Sequence, residues 1–155
     1  MVYRRGLAGR ERVSGVDHPE TLTSVNNLGL LLEEQGKLEE AEVLSRRALE
    51  GKERVLGVDH PATLTSVNNL GLLEDQGKLE EAEVLFRRGL EGFERVLGVG
   101  HRNTLNARGN LGLLLMKRGD KSSEGIVRAV LSSFLLPPHS LPETHQWIQK
   151  FRKAL

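Results

Sequence analysis

The stretch HPETLTSVNNLGLLLEEQGKLEEAEVLSRRALEGKERVLGVD at residues 18–59 is followed directly by HPATLTSVNNLGLLEDQGKLEEAEVLFRRGLEGFERVLGVG at residues 60–100. A third, more diverged copy opens HRNTLNARGNLGLLLMKRGD at His101, so the leading histidines stand 42 and then 41 residues apart. A period of this length belongs to a stack of supersecondary units. Each is too small to bury its own apolar face, and neighbours together build one continuous core. The period reaches past the three clear copies. Residues 2–17 match the end of a unit at residues 85–100, and Pro142-Glu143-Thr144 echoes Pro19-Glu20-Thr21. The chain therefore reads as a segment of a longer array. It divides into a partial unit at 1–17, units at 18–59 and 60–100, a degenerate unit at 101–138 and a closing helix at 139–155.

Each unit is predicted to be two helices with no strand, seven to eight helices in all. The first covers residues 19–35. Pro19 suits the first helical position, where a missing N–H costs nothing. Val25, Leu28, Gly29 and Leu32 recur at three- and four-residue spacings and form one apolar stripe. Gly36 permits a tight turn. The second helix covers residues 38–56, with Glu39 and Glu40 in the first turn, where the helix dipole favours negative charge. Its stripe is Leu38, Ala41, Leu44, Ala48 and Leu49. Gly29, Gly71 and Gly112 each cost about 1 kcal/mol relative to Ala inside a helix, so a close approach of the paired helices is expected there. The second unit lacks one residue in its first helix. That helix should be shorter or overwound, with Leu73 taking the place of Leu32 and Glu74 kept out of the core, because a buried unpaired carboxylate is costly. In the third unit Glu124 stands where Ala41 and Ala82 stood, which marks the end of the array.

Charged residues make up 28% of the chain and nearly cancel, leaving a net charge of +1. That argues against a nucleic-acid binder, which needs a surplus of Lys and Arg to displace phosphate counterions. With no cysteine, disulfide frameworks and thiolate metal sites are excluded, and a reducing, cytoplasmic setting is the expectation. No apolar run approaches the roughly 20 residues that span a bilayer, so no membrane role is expected. The charge is unevenly placed: residues 1–100 carry 13 basic against 18 acidic side chains, and residues 101–155 carry 9 against 3. With the first full helix pair uncovered on one side, head-to-tail self-association that weakens with salt is expected.

The run N-N-L-G-x-L-L-x-x-Q-G-K-L-E-E-A-E, the R-R-A-L ending and the E-R-V-L-G-x-D-H-P linker resemble the 42-residue tetratricopeptide repeats of kinesin light chain, a unit also found in nephrocystin-3-like proteins. The resemblance covers about residues 2–120. It implies an all-α superhelix, the α-solenoid, acting as a protein-binding scaffold of the cargo-adaptor type without a cofactor. In such repeats the first helices line a concave groove, and an Asn on them commonly holds the backbone amide of a peptide ligand.

Asn27, Asn69 and Asn110 occupy one register in three successive first helices, with Asn26 and Asn68 beside the first two. Thr23, Thr65, Asn106 and Lys117 on the same helices complete the candidate peptide-binding set. Asn is a poor residue for a helix interior, and its side chain can pair with both groups of one peptide unit. The alternative is that these amides bridge adjacent helices structurally. A second function class, a spacer inside a longer repeat protein with no ligand of its own, stays open for the same reason. His18, His60 and His101 form another series, but ligands of one zinc ion must each lie about 2 Å from it, so they read as helix-entry residues. Arg4-Arg5, Arg46-Arg47 and Arg87-Arg88 read as a solvated face paired along the helix with Glu42, Glu50, Glu83 and Glu91. No nucleophile–base pair, paired carboxylates or phosphate loop is present, so no catalysis is expected. Trp147, Ile148, Phe151 and Leu155 lie at helical spacing on a closing helix from about Pro142 that is expected to seal the stack, the alternative being a docking helix for a partner or a membrane surface, helped by Lys150, Arg152 and Lys153.

Overall fold

The computed structural model describes residues 2–75, 77–139 and 141–155, with side chains from Arg5 onward. Eight α-helices lie among them and no strand: α1 Val2–Ser14, α2 Pro19–Glu34, α3 Leu38–Leu56, α4 Pro61–Glu74, α5 Leu79–Leu97, α6 Arg102–Lys117, α7 Glu124–Leu135 and α8 Gln146–Ala154. Each packs on the next in chain order, and α6 also touches α4 and α8. The result is a helical solenoid. First helices (A) are α2, α4 and α6, and second helices (B) are α1, α3, α5 and α7.

The predicted stripe is the core. Val25, Leu28 and Leu32 of α2 are buried against Ala41, Ala48 and Leu49 of α3, and Leu38 alone of the two stripes lies exposed at the helix entry. The helix-interior glycines sit where the paired helices meet. A Cβ on Gly29 would lie 3.0 Å from Ser45 Oγ and 3.4 Å from the Ala41 carbonyl, and one on Gly71 would lie 2.8 Å from the Phe86 ring. Gly36 takes a φ of 73° in the turn between α2 and α3.

α4 has 14 residues against 16 in α2 and α6, one fewer than the single deleted residue alone would leave. Leu73 is buried, as expected, but Glu74 is buried too, at 3% exposure. The correction has a physical cause. Arg46 reaches Glu74 Oε1 at 2.5 Å and Lys78 reaches Oε2 at 3.4 Å, so the carboxylate is buried but paired. In the third unit a 3-10 turn at Lys121–Ser123 shifts the register ahead of α7. Buried Ser123 then stands at the helix start, and Glu124 stays half-exposed in a pair with Arg128. The closing helix begins at Gln146 and not near Pro142, because His145 caps it. Ile148 and Phe151 are fully buried, Trp147 is half-buried and Leu155 is exposed.

Candidate functional site

The A helices present matching rows. Asn27 is exposed and Asn69 half-buried, and neither hydrogen-bonds to any described residue. Asn26 and Asn68 lie deeper, at 9% and 6% exposure. The hydroxyls of Thr23 and Thr65 donate to the carbonyls of Pro19 and Pro61 at 2.9 Å, leaving their lone pairs facing out. Lys117 is engaged: its Nζ donates to the Asp75 backbone carbonyl at 2.6 Å and lies 3.2 Å from Asp75 Oδ1, tying α6 to the end of α4.

Asn110 differs from its two counterparts. It is 1% exposed, its Nδ2 donates to Asn68 Oδ1 at 3.2 Å, and its Oδ1 accepts from Lys150 Nζ at 2.6 Å. A structural bridge is what this amide makes. The cause lies one residue earlier, where Gly109 replaces the asparagines of the first two units. A Cβ at Gly109 would stand 2.3 Å from the Phe151 ring, so only a glycine admits α8 against α6 at this point. Phe151 in turn stacks near-parallel on Phe134, and Trp147 tilts over the same ring at 5.2 Å.

Between α4, α6 and α8 lies a 380 Å³ cavity, with Phe93, Leu72 and Trp147 as its apolar wall and Asn69, Asn106 and Lys150 as its polar one. Asn106 Oδ1 is buried there without a hydrogen-bond partner. Burial holds the Lys150 ammonium below the usual lysine range, against the opposing pull of Asp75. A second concavity of 600 Å³ lies at the other end, where Arg10 of α1 faces Asn27, Leu28, Leu31 and Glu34 of α2.

The walls of these two concavities follow one register. Arg10 donates to Ser24 Oγ at 2.5 Å and Lys52 to Ser66 Oγ at 2.7 Å; in the third unit Phe93 and Ala107 stand in their places and pack together. Lys52 is 8% exposed with no carboxylate beside it, and burial lowers its pKa. Reading the sequence along one unit at a time misses this pairing. Stacking the three copies exposes it, since Arg10, Lys52 and Phe93 change in step with Ser24, Ser66 and Ala107.

The histidines are helix caps. Nδ1 of His18, His60 and His101 accepts the backbone N–H of Glu20, Ala62 and Asn103 at 3.3, 3.1 and 3.1 Å, and His145 accepts that of Trp147 at 3.2 Å. No cluster of metal-ligating side chains occurs among the described residues. The arginines pair less locally than expected. Arg46 and Arg87 do bind Glu42 and Glu83 four residues back, whereas Arg47, Arg88 and Arg118 bind Glu11, Glu53 and Glu83 of the preceding B helix. Arg54 and Arg95 reach Asp17 and Asp59 in the same manner. The face is a chain of inter-repeat ion pairs. Arg4 lies outside the described side chains, and Arg5 is exposed. No helix among the described residues is long and apolar enough to cross a membrane.

A family model for the tetratricopeptide repeat matches residues 1–54 and 26–94. Among solved structures, BtubC (BKLC) from P. vanneervenii superposes with a TM-score of 0.77 at 22% identity, over 98% of this chain and 63% of that one. A putative kinesin light chain from Podosopora anserina with nearly identical TPR-like repeats gives 0.74 at 18% identity, over 98% of this chain and 72% of that one. The N-terminal domain of stress-induced protein-1 from C. elegans gives 0.58 at 18% identity, over 88% of this chain and 95% of that one. At these identities the likeness establishes the fold. The chain spans less than two thirds of the P. vanneervenii protein's length. No curated protein sequence matches it.

Proposed function

The chain belongs to the tetratricopeptide repeat family, and on that premise we propose that the open asparagine face of α2 and α4 binds an extended peptide or a helix of another protein. Repeats of this family are in general protein–protein interaction modules. The observation that carries the reading is the pair Asn27 and Asn69, two amides on adjacent A helices with no hydrogen bond to any described residue. Neighbouring helices stand about 8–10 Å apart, and three extended peptide residues span about 10 Å, so each amide meets every third peptide unit. Thr23 and Thr65, one turn earlier, offer acceptors to a ligand N–H. Arg10 and Phe93 supply contrasting side walls, one cationic and one apolar. The chain is then a non-catalytic, cytoplasmic adaptor of the kinesin light chain-like kind.

The spacer reading has one observation in its favour, the Asn68–Asn110–Lys150 chain of hydrogen bonds. It ties Asn68 of the second unit to the third and leaves Asn27 and Asn69 untouched. Side-chain amide resonances separate the readings. A peptide selected for binding to the whole chain should shift the signals of Asn27 and Asn69 and spare the bridging Asn110. Shifts confined to the B helices α3 and α5 would remove the groove reading.

A further inference from the structure

α4 packs on both α5 and α6, and the face it covers recurs on α1 and α2 with nothing over it. Gly89 and Gly92 of α5 are buried beneath α4. A Cβ on Gly92 would stand 2.3 Å from Leu64, and one on Gly89 would stand 3.8 Å from Val67 and 3.9 Å from Asn68. On α6, Asn110 donates to Asn68, and Leu114 is 1% exposed in the cluster that Leu72 packs against. The same register positions are Gly6 and Gly9 on α1 and Asn27 and Leu31 on α2. A Cβ on either of these glycines would meet nothing within 4 Å, Asn27 is exposed and Leu31 is half-buried.

We propose that this open face is the docking site of a partner helix with the chemistry of α2 and α4 themselves: Leu, Val and Asn at i, i+3 and i+4, and acidic side chains without basic ones. The inference rests on the helix form of the groove reading above, and names the helix.

The glycines give the shape of the seat. Glycine weakens a helix interior relative to Ala, and in α3 and α5 an incoming leucine explains it, Leu22 at Gly51 and Leu64 at Gly92, each at 2.3 Å. α1 carries the glycine at the same place without the leucine. Val13 accordingly stands 88% exposed, where its counterparts Val55 and Val96 stand at 45% and 43%. Gly6, Asn27 and Leu31 line one concavity of 600 Å³. Both helices that fill this seat on α3 and α5 carry the pattern, as Leu22, Val25, Asn26 and as Leu64, Val67, Asn68. Charge selects in the same direction. α1 has four arginines against Glu11, whereas residues 18–35 contain Glu20, Glu33 and Glu34 and no Lys or Arg. The end helix α8 of a second copy, with Lys150, Arg152 and Lys153 and no acid, has the wrong sign for this seat.

The probe is a synthetic peptide of residues 18–35 added to the whole chain, read from the side-chain amide of Asn27 and the backbone amides of Gly6 and Gly9. Saturable shifts are expected there, with α5 to α8 unmoved. Gly9→Ala in the chain puts a methyl group into open space, so helical circular dichroism should persist while the peptide binds roughly tenfold more weakly, the notch being filled. In the peptide, Leu22→Ala should weaken binding by roughly tenfold, and Asn26→Ala by about threefold through one lost hydrogen bond. If the Gly9→Ala chain does lose its helical signal, the two peptide variants carry the test, since they leave the chain unaltered. Unchanged affinity for the folded Gly9→Ala chain, or for the Leu22→Ala peptide, overturns the proposal. So do shifts centred on α5 to α8, no saturable shift at millimolar peptide, or sedimentation showing paired chains that the peptide does not separate. Any of these leaves the groove reading standing, because the selected peptide tests it separately at Asn69.

Discussion

The junction between the first two units and the junction between the second and third are built on one backbone plan and filled differently. Within the units that lead into them, a Cβ on Gly51 would lie 2.3 Å from Leu22, and one on Gly92 the same distance from Leu64, so the pairing of A and B helices ahead of each junction has kept its geometry. Inside that common frame, the earlier junction pairs buried Lys52 with Ser66, and the later one pairs Phe93 with Ala107. The Thr21 and Thr63 hydroxyls are buried without partners, whereas Thr104 in the third unit donates to the Gly98 carbonyl at 2.7 Å. Asn27 and Asn69 are open, and Asn110 is closed by Lys150. The third unit is packed on an aromatic cluster, and its one unpartnered buried side-chain atom among the described residues is Asn106 Oδ1. The first two each retain a buried threonine hydroxyl without a partner, Thr21 and Thr63.

The strongest way to break this contrast is to remove the aromatic seat. Phe134→Ala should cost about 3–5 kcal/mol, the usual range for a fully buried phenylalanine. The loss should stay local, because solenoid units couple mainly to their neighbours. Hydrogen exchange should accelerate through α6, α7 and α8 and hardly at all in α2 and α3. Uniform acceleration along the chain would mean that the two regions are one cooperative body.

A smaller change sharpens the contrast at its chemical root. Transplanting the later pair into the earlier junction, as Lys52→Phe with Ser66→Ala, should stabilise the chain by about 1–3 kcal/mol, the penalty of a polar group buried with too few partners. Each single change should do worse than the pair, and a double-mutant cycle measures the coupling. The native lysine carries a further signature. Its folded pKa is depressed by burial, so the folded state binds fewer protons than the unfolded one as pH approaches the lysine range. Stability should therefore rise with pH there in the native chain and not in the Phe variant.

The all-helical architecture, the limits of α2 and α3 to within a residue, the apolar stripes and the glycine contacts are legible in the sequence, because each is fixed by periodicity within a unit. What escaped was set between units. Glu74 sits in the core because Arg46 and Lys78 arrive from other elements, and no pattern along α4 announces them. The start of α8 was misplaced because Pro142 mimics the entry motif, while the capping histidine that starts each A helix recurs at His145. Among the candidate site residues, the asparagine register was readable, but the engagement of Asn110 and Lys117 depends on α8 and on the end of α4.

Glu74 offers a test of that middle region. Burial, with Glu42 nearby, raises its pKa despite Arg46 and Lys78. A raised carboxylate pKa means that the folded state binds the proton more readily, so this group's contribution to stability grows as pH falls through its folded value and is lost as pH rises. Glu74→Gln should leave thermal stability unchanged or raise it by about 1 kcal/mol at neutral pH, and the advantage should shrink as the solution is acidified. A marked destabilisation at neutral pH would show that the ion pairs outweigh the burial.

The smallest expected effect concerns the end faces. The acidic surplus of residues 1–100 does not reach the N-terminal end, since α1 carries four arginines against Glu11, and α8 carries Lys150, Arg152 and Lys153 with no acid. Both end helices are basic. The expectation of charge-driven head-to-tail association therefore changes sign at the faces that would meet. Any self-association seen by sedimentation should strengthen modestly with salt, as screening relieves the repulsion.

The open asparagines of the first two units, and not the closed one of the third, are proposed to hold a ligand. Calorimetric titration with a peptide selected against the whole chain tests it most directly, using Asn27→Ala with Asn69→Ala on one side and Asn110→Ala on the other. Two lost hydrogen bonds of about 0.5–1.5 kcal/mol each should weaken binding of the first variant by roughly tenfold with thermal stability preserved. Asn110→Ala should instead lower stability by about 1 kcal/mol while affinity stays within about twofold. Full affinity in the double variant, or an equal loss in both, would contradict the account.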